Sequence, residues 1–248
     1  MQTYLVLFRG INVGGKNKMP MAELRTCLES LGFSDVTTYI ASGNAIITSD
    51  ESPDTIKTLI ERALPKAFVL DSDLIKVLIL SQQQLAAIIK NKPDGFGDEP
   101  NKYHSDALFT IDVSAGDVMP IFNPREGVDK IWQGNGVIYS QRLSAERTKS
   151  RLSTAMTSPL YKSLTIRSWN TTTKLLELMN SLANKEKTTL KPDIKPGFNV
   201  GGVLHASPNL FRAQRVSKPR RLCGQARTRP TRKPFSYFLR FPPADFLF

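Results

Sequence analysis

Residues 3–20, TYLVLFRGINVGGKNKMP, set the pattern from which the rest of the chain is interpreted. They open with a continuous apolar run, Thr3 to Phe8, which is typical of a strand buried on both faces. Glycines, cations and asparagines follow in a long polar loop. Pro20 then suits the start of a helix, because a first-turn residue needs no N–H. The stretch therefore predicts a strand, a glycine-rich loop and a helix.

Alternating helix and strand patterns continue to about residue 80. The predicted elements are a helix over residues 21–31 that ends at Gly32, strands over 36–41 and 45–49, a helix from Ser52, and a strand over 74–80. This β-α-β-β-α-β order predicts a ferredoxin-like half, residues 1–80, with two helices on one face of an antiparallel sheet.

A similar order is predicted for residues 81–183, although the two halves share no sequence similarity. The predicted elements are a helix capped by Ser81 and Gln84, a strand over 106–111, a helical turn near 115–122, a hairpin turning at 134–136, a helix over 144–156, a strand over 163–168 and a helix over 171–183. The fold class is therefore predicted as α+β, with two ferredoxin-like halves and antiparallel-rich sheets.

The positive charge is concentrated after Asn184. Residues 1–183 carry 20 Lys and Arg against 19 Asp and Glu, whereas residues 184–248 carry 14 against 3. That last segment also holds half of the prolines and no sustained apolar period, so we expect a disordered or unrelated basic tail rather than a functional arm. The net charge of +12 therefore does not indicate nucleic-acid binding by the folded part.

The sequence also gives expectations about the cell compartment, cofactors and membrane association of the protein. Cys27 and Cys223 form neither a metal motif nor a disulfide framework, and no run reaches the roughly 20 apolar residues of a membrane helix. The start of the chain has no signal-peptide pattern. We expect a cytoplasmic protein with no cofactor, no metal and no membrane partner.

The glycine-rich loop is the first candidate site. Gly10 to Lys16 match the spacing G-x-x-x-x-G-K, but Asn17 stands where a P-loop needs a magnesium-binding hydroxyl, and the helix begins later than in a P-loop. A simpler anion cradle remains possible from Arg9, Asn12, Gly14, Gly15, Lys16 and Lys18. The alternative is a folded-back loop whose asparagines bond nearby main chain and whose cations are solvated.

Two further segments add candidate ligand residues. Ser42 and Asn44 lie at the predicted hairpin turn, and the expected sheet order brings this turn beside the end of the first strand, hence beside the glycine loop. A turn alone also explains Gly43 and Asn44. In TIRSWNTTTK, Arg167 could bind phosphate and Trp169 with Asn170 could contact a base or sugar, or the three could serve as core and helix cap.

Three phrases resemble one bacterial family, the domain of unknown function 1697. They are LFRGINVGGKNKMPMAELRTCLESLGF, YIASGN and SPLYKSLTIRSWNTTTKLLEL, within residues 2–183. The resemblance implies two ferredoxin-like halves and no established activity, so no catalytic residue is transferred. This chain departs from the family at Ser168, usually asparagine, and at Thr154, usually lysine. The tail has no counterpart in the family, which a fused or frame-shifted 3′ end would explain.

The leading hypothesis is a protein that binds a phosphate-bearing ligand, a nucleotide or nucleic acid, at the glycine loop. One alternative is a small-molecule enzyme that uses the same cleft, with a carboxylate or His104, the one histidine before residue 184, as base. Another is a structural or partner-binding module without a ligand.

Overall fold

The structure is a computed structural model that describes residues 1–71 and 75–189, with side chains up to residue 184. All described residues belong to one compact unit of the chain, Met1–Pro192. They form an α+β fold with two four-stranded antiparallel sheets. The predicted fold class is confirmed at this level.

The first sheet has the strand order β2-β3-β1-β4. Its strands and the helices between them are β1 (Gln2–Arg9), α1 (Met21–Ser30), β2 (Ser34–Thr38), β3 (Asn44–Ser49), α2 (Pro53–Ala67) and β4 (Lys76–Ser81). The Ser52 hydroxyl accepts from the Thr55 N–H and so begins α2 where the sequence predicts. Gly32, at φ +92°, follows the end of α1.

Both faces of the first sheet are buried. Tyr4, Val6 and Phe8 of β1 pack into a core with α1 and α2. The alternate residues Leu5 and Leu7 pack into a second core shared with the second sheet. A strand that faces two cores needs apolar residues at every position, which explains the continuous run in β1.

The second sheet has the order β6-β7-β5-β8. Its elements are α3 (Gln82–Lys90), β5 (Tyr103–Thr110), α4 (Ala115–Val118), β6 (Asp129–Gln133), β7 (Val137–Leu143), β8 (Leu164–Ser168) and α5 (Trp169–Thr189). The predicted capping box at the start of α3 is present, with Ser81 and Gln84 each bonding the other's main chain. One face of this sheet packs into the second core, which it shares with the first sheet, through Ala107, Phe109 and Tyr139.

The prediction of a helix over residues 144–156 is wrong. The chain instead forms three short 3₁₀ helices, Ser144–Lys149, Leu152–Thr157 and Pro159–Ser163. Extended backbone at Ser150 and Ser158 separates them. Serine disfavours helix interiors and Pro159 cannot continue one, so no regular helix forms here.

The start and end of α5 also differ from the prediction. The Ser168 hydroxyl accepts from the Thr171 N–H, so Ser168 caps the helix rather than Asn170. The helix continues to Thr189, past the end predicted at Ala183. The predicted tail beyond Thr189, with Cys223, lies outside the described residues. Among the residues that are described, no helix has the length and apolar character to cross a membrane.

Gly97 fits tightly against the aromatic cluster at the centre of the shared core. Phe96 is fully buried and packs edge-to-face on Trp169, with ring centroids 4.9 Å apart. A Cβ on Gly97 would lie within 2.5 Å of Trp169 Nε1, and closer still to its Cδ1. Gly95, two residues earlier, also has positive φ, but a Cβ there meets nothing within 4 Å.

We expect Gly97→Ala to lower the free energy of unfolding by about 1 to 3 kcal/mol more than Gly95→Ala, because it adds overpacking to backbone strain. Gly95→Ala carries the left-handed backbone cost alone, about 1 to 2 kcal/mol. Urea denaturation of both variants measures the difference. Equal losses would show that the Trp169 contact does not constrain this loop.

Candidate functional site

The glycine loop, Arg9–Lys18, lies against the connection between β2 and β3. The Phe8 N–H donates to the Gly43 carbonyl at 2.9 Å, and Asn12 Nδ2 donates to the Ala41 carbonyl at 3.0 Å. Strand β1 pairs with β3, so the end of one strand meets the start of the other. The predicted juxtaposition of loop and turn is confirmed.

Two asparagines hold the glycine loop in shape. Asn12 Oδ1 accepts from the Met19 N–H at 2.7 Å, and its Nδ2 donates to the Met19 carbonyl at 2.9 Å. Asn17 Nδ2 donates to the Gly10 carbonyl at 2.7 Å. Both asparagines have positive φ, a conformation that asparagine tolerates better than most residues. Their amides are therefore occupied by the protein's own main chain.

Asp71 fastens the base of the loop. Its carboxylate accepts from the Asn17 N–H at 2.5 Å, and the Asp71 N–H donates to Asn17 Oδ1 at 2.8 Å. This reciprocal pair joins the loop to the chain just before β4. It also puts a negative charge at the base, so an anion finds a more favourable potential at the opposite end of the loop.

At the opposite end of the loop, Val13–Lys16 form a tight hairpin in which Gly14 and Gly15 are the two turn residues. Gly14 and Gly15 have φ of +58° and +77°, and the Lys16 N–H donates to the Val13 carbonyl at 3.0 Å, as in a type I′ turn. A Cβ on either glycine would meet nothing within 4 Å. Among the described residues, no acceptor bonds the Gly14 or Gly15 amide. The tip thus presents two free N–H groups to solvent.

Cations surround the loop at this end of β1. Lys16 and Lys18 are exposed, and neither forms an ion pair within the described part of the chain. Arg9 Nε donates to the Leu164 carbonyl at 2.9 Å, and its cross-strand neighbour Lys76 reaches Ser163 Oγ at 3.4 Å. Burial lowers the pKa of Arg9, an effect that the neighbouring Tyr161 partly offsets. We call Arg9, Lys16, Lys18, Lys76 and the exposed Lys162 the basic rim.

Arg167 is buried instead of facing a ligand. All five of its N–H groups have protein acceptors. Nε donates to Asn44 Oδ1, Nη1 to Thr165 Oγ1 and the Ile166 carbonyl, and Nη2 to the Phe8 and Gly43 carbonyls. Burial lowers the pKa of Arg167 to about 10, so the side chain stays charged at neutral pH. Arg167 therefore bonds β8 to the loop and turn of the first half.

Asn44 completes this buried contact. It is fully buried, and its Nδ2 donates to the Tyr39 carbonyl and to Ser42 Oγ, each at 3.0 Å. Its Oδ1 accepts from Arg167. Each polar atom of the Asn44 side chain is thus used inside the protein, and the Ser42 hydroxyl is engaged with it.

Trp169 and Asn170 border a different pocket from the glycine loop. The His104 notch is lined by Gly97, Tyr103, His104, Ser168, Trp169, Asn170 and their neighbours, with no residue of the loop. Trp169 is buried against Phe96, whereas Asn170 is exposed at the edge of the notch. The structure does not bring these two predicted ligand residues to Lys16.

His104 forms a pair that sequence reasoning missed. Its Nε2 lies 3.1 Å from Asp106 Oδ2, and Asp106 is almost fully buried. An Nε2 proton directed at this carboxylate would leave Nδ1 as an acceptor, the form that can take a proton from a bound molecule. The two residues are separated by one position in a strand and so share a face, which was the available signal. No cluster of three metal-ligating side chains occurs among the described residues.

We expect Arg167→Met to lower the free energy of unfolding by about 3 kcal/mol or more, because several buried acceptors lose their donor at once. Asn44→Ala should cost less, since the main-chain acceptors of Arg167 remain. Urea denaturation of each single variant and the double variant gives the coupling energy, expected at about 1 kcal/mol or more. Additive losses would contradict the direct Arg167–Asn44 contact.

Comparisons with known proteins give a family and a solved structure. The model of a family described as "Protein of unknown function (DUF1697)" matches residues 1–139. The structure of the conserved bacterial protein SP0830 from Streptococcus pneumoniae is similar to this chain, with 27% sequence identity and a TM-score of 0.61. The match covers 72% of this chain and 98% of that one. A search of curated proteins found no match.

Proposed function

The chain belongs to the DUF1697 family of proteins of unknown function, and we propose that its glycine loop binds phosphate groups of a nucleic-acid backbone. The observation that carries this proposal is the pair of amides at Gly14 and Gly15, which no described residue bonds, at the tip of a loop whose base is held by side-chain hydrogen bonds. Successive main-chain N–H groups in a turn conformation can form an anion-binding arrangement.

The rigidity of the loop supports this role. Asn12, Asn17 and Asp71 fasten its base with side-chain bonds, while nothing in the described structure bonds the amides of the tip. A loop that only connected β1 to α1 would need neither the clamps nor a projecting turn. Because side chains already hold the base of the loop in place, binding an anion at the tip costs little ordering entropy.

The shape of the tip favours a polymer over a free nucleotide. Small ligands bind in concave pockets that cover most of their surface. Gly14 and Gly15 project from the protein, and a Cβ on either would be in open space. A projecting tip can reach the backbone of a larger partner, and glycine loops contact nucleic-acid backbones in known RNA-binding modules. The cations of the basic rim add electrostatic attraction that depends on salt.

We also propose finer assignments of fold and location. Both sheets share one strand order and both are fully antiparallel, which supports two ferredoxin-like halves, 1–80 and 81–183. In the second half, α4 and the 3₁₀ helices take the place of full helices. A cytoplasmic location is consistent with the free thiol of Cys27.

The first test compares two double variants of the full chain with the same change in net charge. Lys16→Ala/Lys18→Ala removes the cations of the loop, and Lys66→Ala/Lys90→Ala removes two exposed lysines at the ends of α2 and α3. Fluorescence anisotropy with a labelled single-stranded DNA oligonucleotide measures the binding constant at several salt concentrations.

We expect the loop variant to reduce the slope of log K against log [salt] by roughly 1.4, since each lost phosphate contact to a single strand is worth about 0.7. The control variant should leave the slope nearly unchanged. Basic residues after Asn184 contribute equally to every protein compared. Equal slopes for the two variants would remove the glycine loop from the interface.

The His104–Asp106 pair supports a second candidate function, an enzyme that uses His104 as a general base in the His104 notch. A panel of activated carboxylic and phosphate esters tests for turnover. A rate in the wild type that His104→Ala abolishes, while Lys16→Ala leaves it intact, would support this candidate. Turnover that His104→Ala does not affect would exclude it.

A further inference from the structure

Two apolar side chains near the tip of the glycine loop remain exposed. Val13 immediately precedes Gly14 and is 68% exposed, and Ile40, in the connection between β2 and β3, is 49% exposed. Neither side chain belongs to a hydrophobic core formed by the described residues. One exposed apolar residue is ordinary on a protein surface. Two of them beside a candidate anion site indicate a contact that the fold itself does not use.

The loop and the turn between β2 and β3 run side by side, which brings these two side chains to the same rim. Ile11 of the loop packs on Gly43 of the turn, where an added Cβ would lie 2.9 Å from the Ile11 side-chain carbons. The next loop residue, Asn12, donates to the Ala41 carbonyl at 3.0 Å. In both segments these contacts proceed toward the same end. The next residue of each segment is one of the exposed pair.

Ile40 has a main-chain conformation that isoleucine rarely adopts. Its φ is +49°, in the left-handed region. A β-branched side chain crowds the main chain in that region, so isoleucine is strained where asparagine or glycine is not. The fold does not offset this cost by burying the side chain, because half of it remains in solvent. Strained residues of this kind cluster at functional sites, which supports a role for Ile40 outside the core.

The chemistry of this rim matches one form of nucleic acid. The amides of Gly14 and Gly15 suit a phosphate, and the exposed Lys16 and Lys18 add positive charge. In a duplex the bases are paired and stacked, so a protein at the backbone meets sugar and phosphate. In a single strand a base can turn outward and lay its face on protein side chains. Aliphatic side chains beside phosphate-binding amides therefore favour a single strand.

We propose that Val13 and Ile40 form the contact for an unstacked base of a single-stranded nucleic acid, with a neighbouring phosphate on the amides of Gly14 and Gly15. This inference rests on the proposed function of the glycine loop and names the kind of nucleic acid that the loop binds. Neither side chain has a hydrogen-bonding group, so the base is held by burial of apolar surface. Every base has such a surface, and we expect little sequence preference.

The first experiment separates the contribution of the bases from that of the phosphates. Fluorescence anisotropy measures binding of the full chain to a labelled oligothymidylate and to an oligomer of abasic sites with the same number of phosphates. Val13→Thr/Ile40→Asn removes the apolar contact without changing the charge of the protein. The control, Val69→Thr/Met156→Gln, removes two exposed apolar residues that lie outside the loop and the turn.

We expect Val13→Thr/Ile40→Asn to bind oligothymidylate about tenfold more weakly than the control variant does, because apolar surface on the base is no longer buried. Both variants should bind the abasic oligomer equally. Basic residues after Asn184 are common to the two proteins and do not affect the comparison. Equal binding of oligothymidylate would overturn the proposal. An equal loss with the abasic oligomer would also overturn it, since the side chains would then contact the backbone.

Annealing the oligothymidylate to its complement tests the requirement for a single strand. The same phosphates are then present, but the bases are stacked inside the duplex. We expect Val13→Thr/Ile40→Asn and the control variant to bind this duplex equally. A loss with the duplex as large as the loss with the single strand would contradict the proposal, because it would indicate side chains that insert between base pairs.

Urea denaturation of Ile40→Asn checks that Ile40 is not needed for folding. Asparagine tolerates the left-handed conformation better than isoleucine does, so we expect the midpoint to stay the same or rise. A clearly lower midpoint would show that the Ile40 side chain stabilises the fold, and this would contradict its assignment as a ligand contact.

The salt dependence separates failure of this inference from failure of the proposed function. Val13→Thr/Ile40→Asn keeps every cation, so its slope of log K against log [salt] should equal that of the control variant. If Lys16→Ala/Lys18→Ala reduces the slope but the apolar change does not weaken binding, the loop binds phosphate and only the base contact is rejected. If the lysine change leaves the slope unaltered, the proposed function is rejected as well.

Discussion

The buried guanidinium of Arg167 is the contact on which the arrangement of the two halves depends. None of its bonds to the described residues is to a carboxylate, and its charge is solvated by carbonyl, hydroxyl and amide oxygens from both halves. A buried cation without such acceptors would be strongly destabilising. The five bonds therefore require the end of β1 and the start of β3 to lie against β8. That requirement also orients the glycine loop, because the loop leaves β1 directly after Arg9.

Local signals in the sequence predicted much of the fold. The continuous run in β1, the Ser81–Gln84 capping box and the turn at Gly134–Gly136 depend on near neighbours, and each is present as expected. The 3₁₀ helices after β7 were missed because several short helices satisfy the same helical period in the sequence as one long helix. The roles of Arg167, Asp71 and Asp106 were missed because their partners are set by pairing across the sheets. Spacing along the chain carries no signal of such contacts.

The position of the glycine loop beside the turn was predicted, but the bonding of its residues was predicted only in part. The meeting of loop and turn followed from strand order alone. Asn12, Asn17 and Asn44 turned out to bond the protein's own main chain, whereas Lys76 joined the site through its register with Arg9. A side chain that stabilises a loop and one that awaits a ligand have the same signature in sequence. Only the bonding pattern separates them.

The proposed phosphate-binding surface rests on main-chain groups that no described residue bonds. At the hairpin tip these are two amides among lysines, which suits an anion. The charge of the surrounding side chains, together with these amides, decides which ligands this surface accepts.

The central claim concerns the bonding of Arg167, and ¹⁵N NMR of the arginine side chains tests it directly. With all five N–H groups bonded, Arg167 should give separate, slowly exchanging Nη–H signals because rotation about its C–N bonds is blocked. The exposed Arg62 provides the averaged, fast-exchanging reference. A spectrum in which every arginine, Arg167 included, resembles Arg62 would contradict the account.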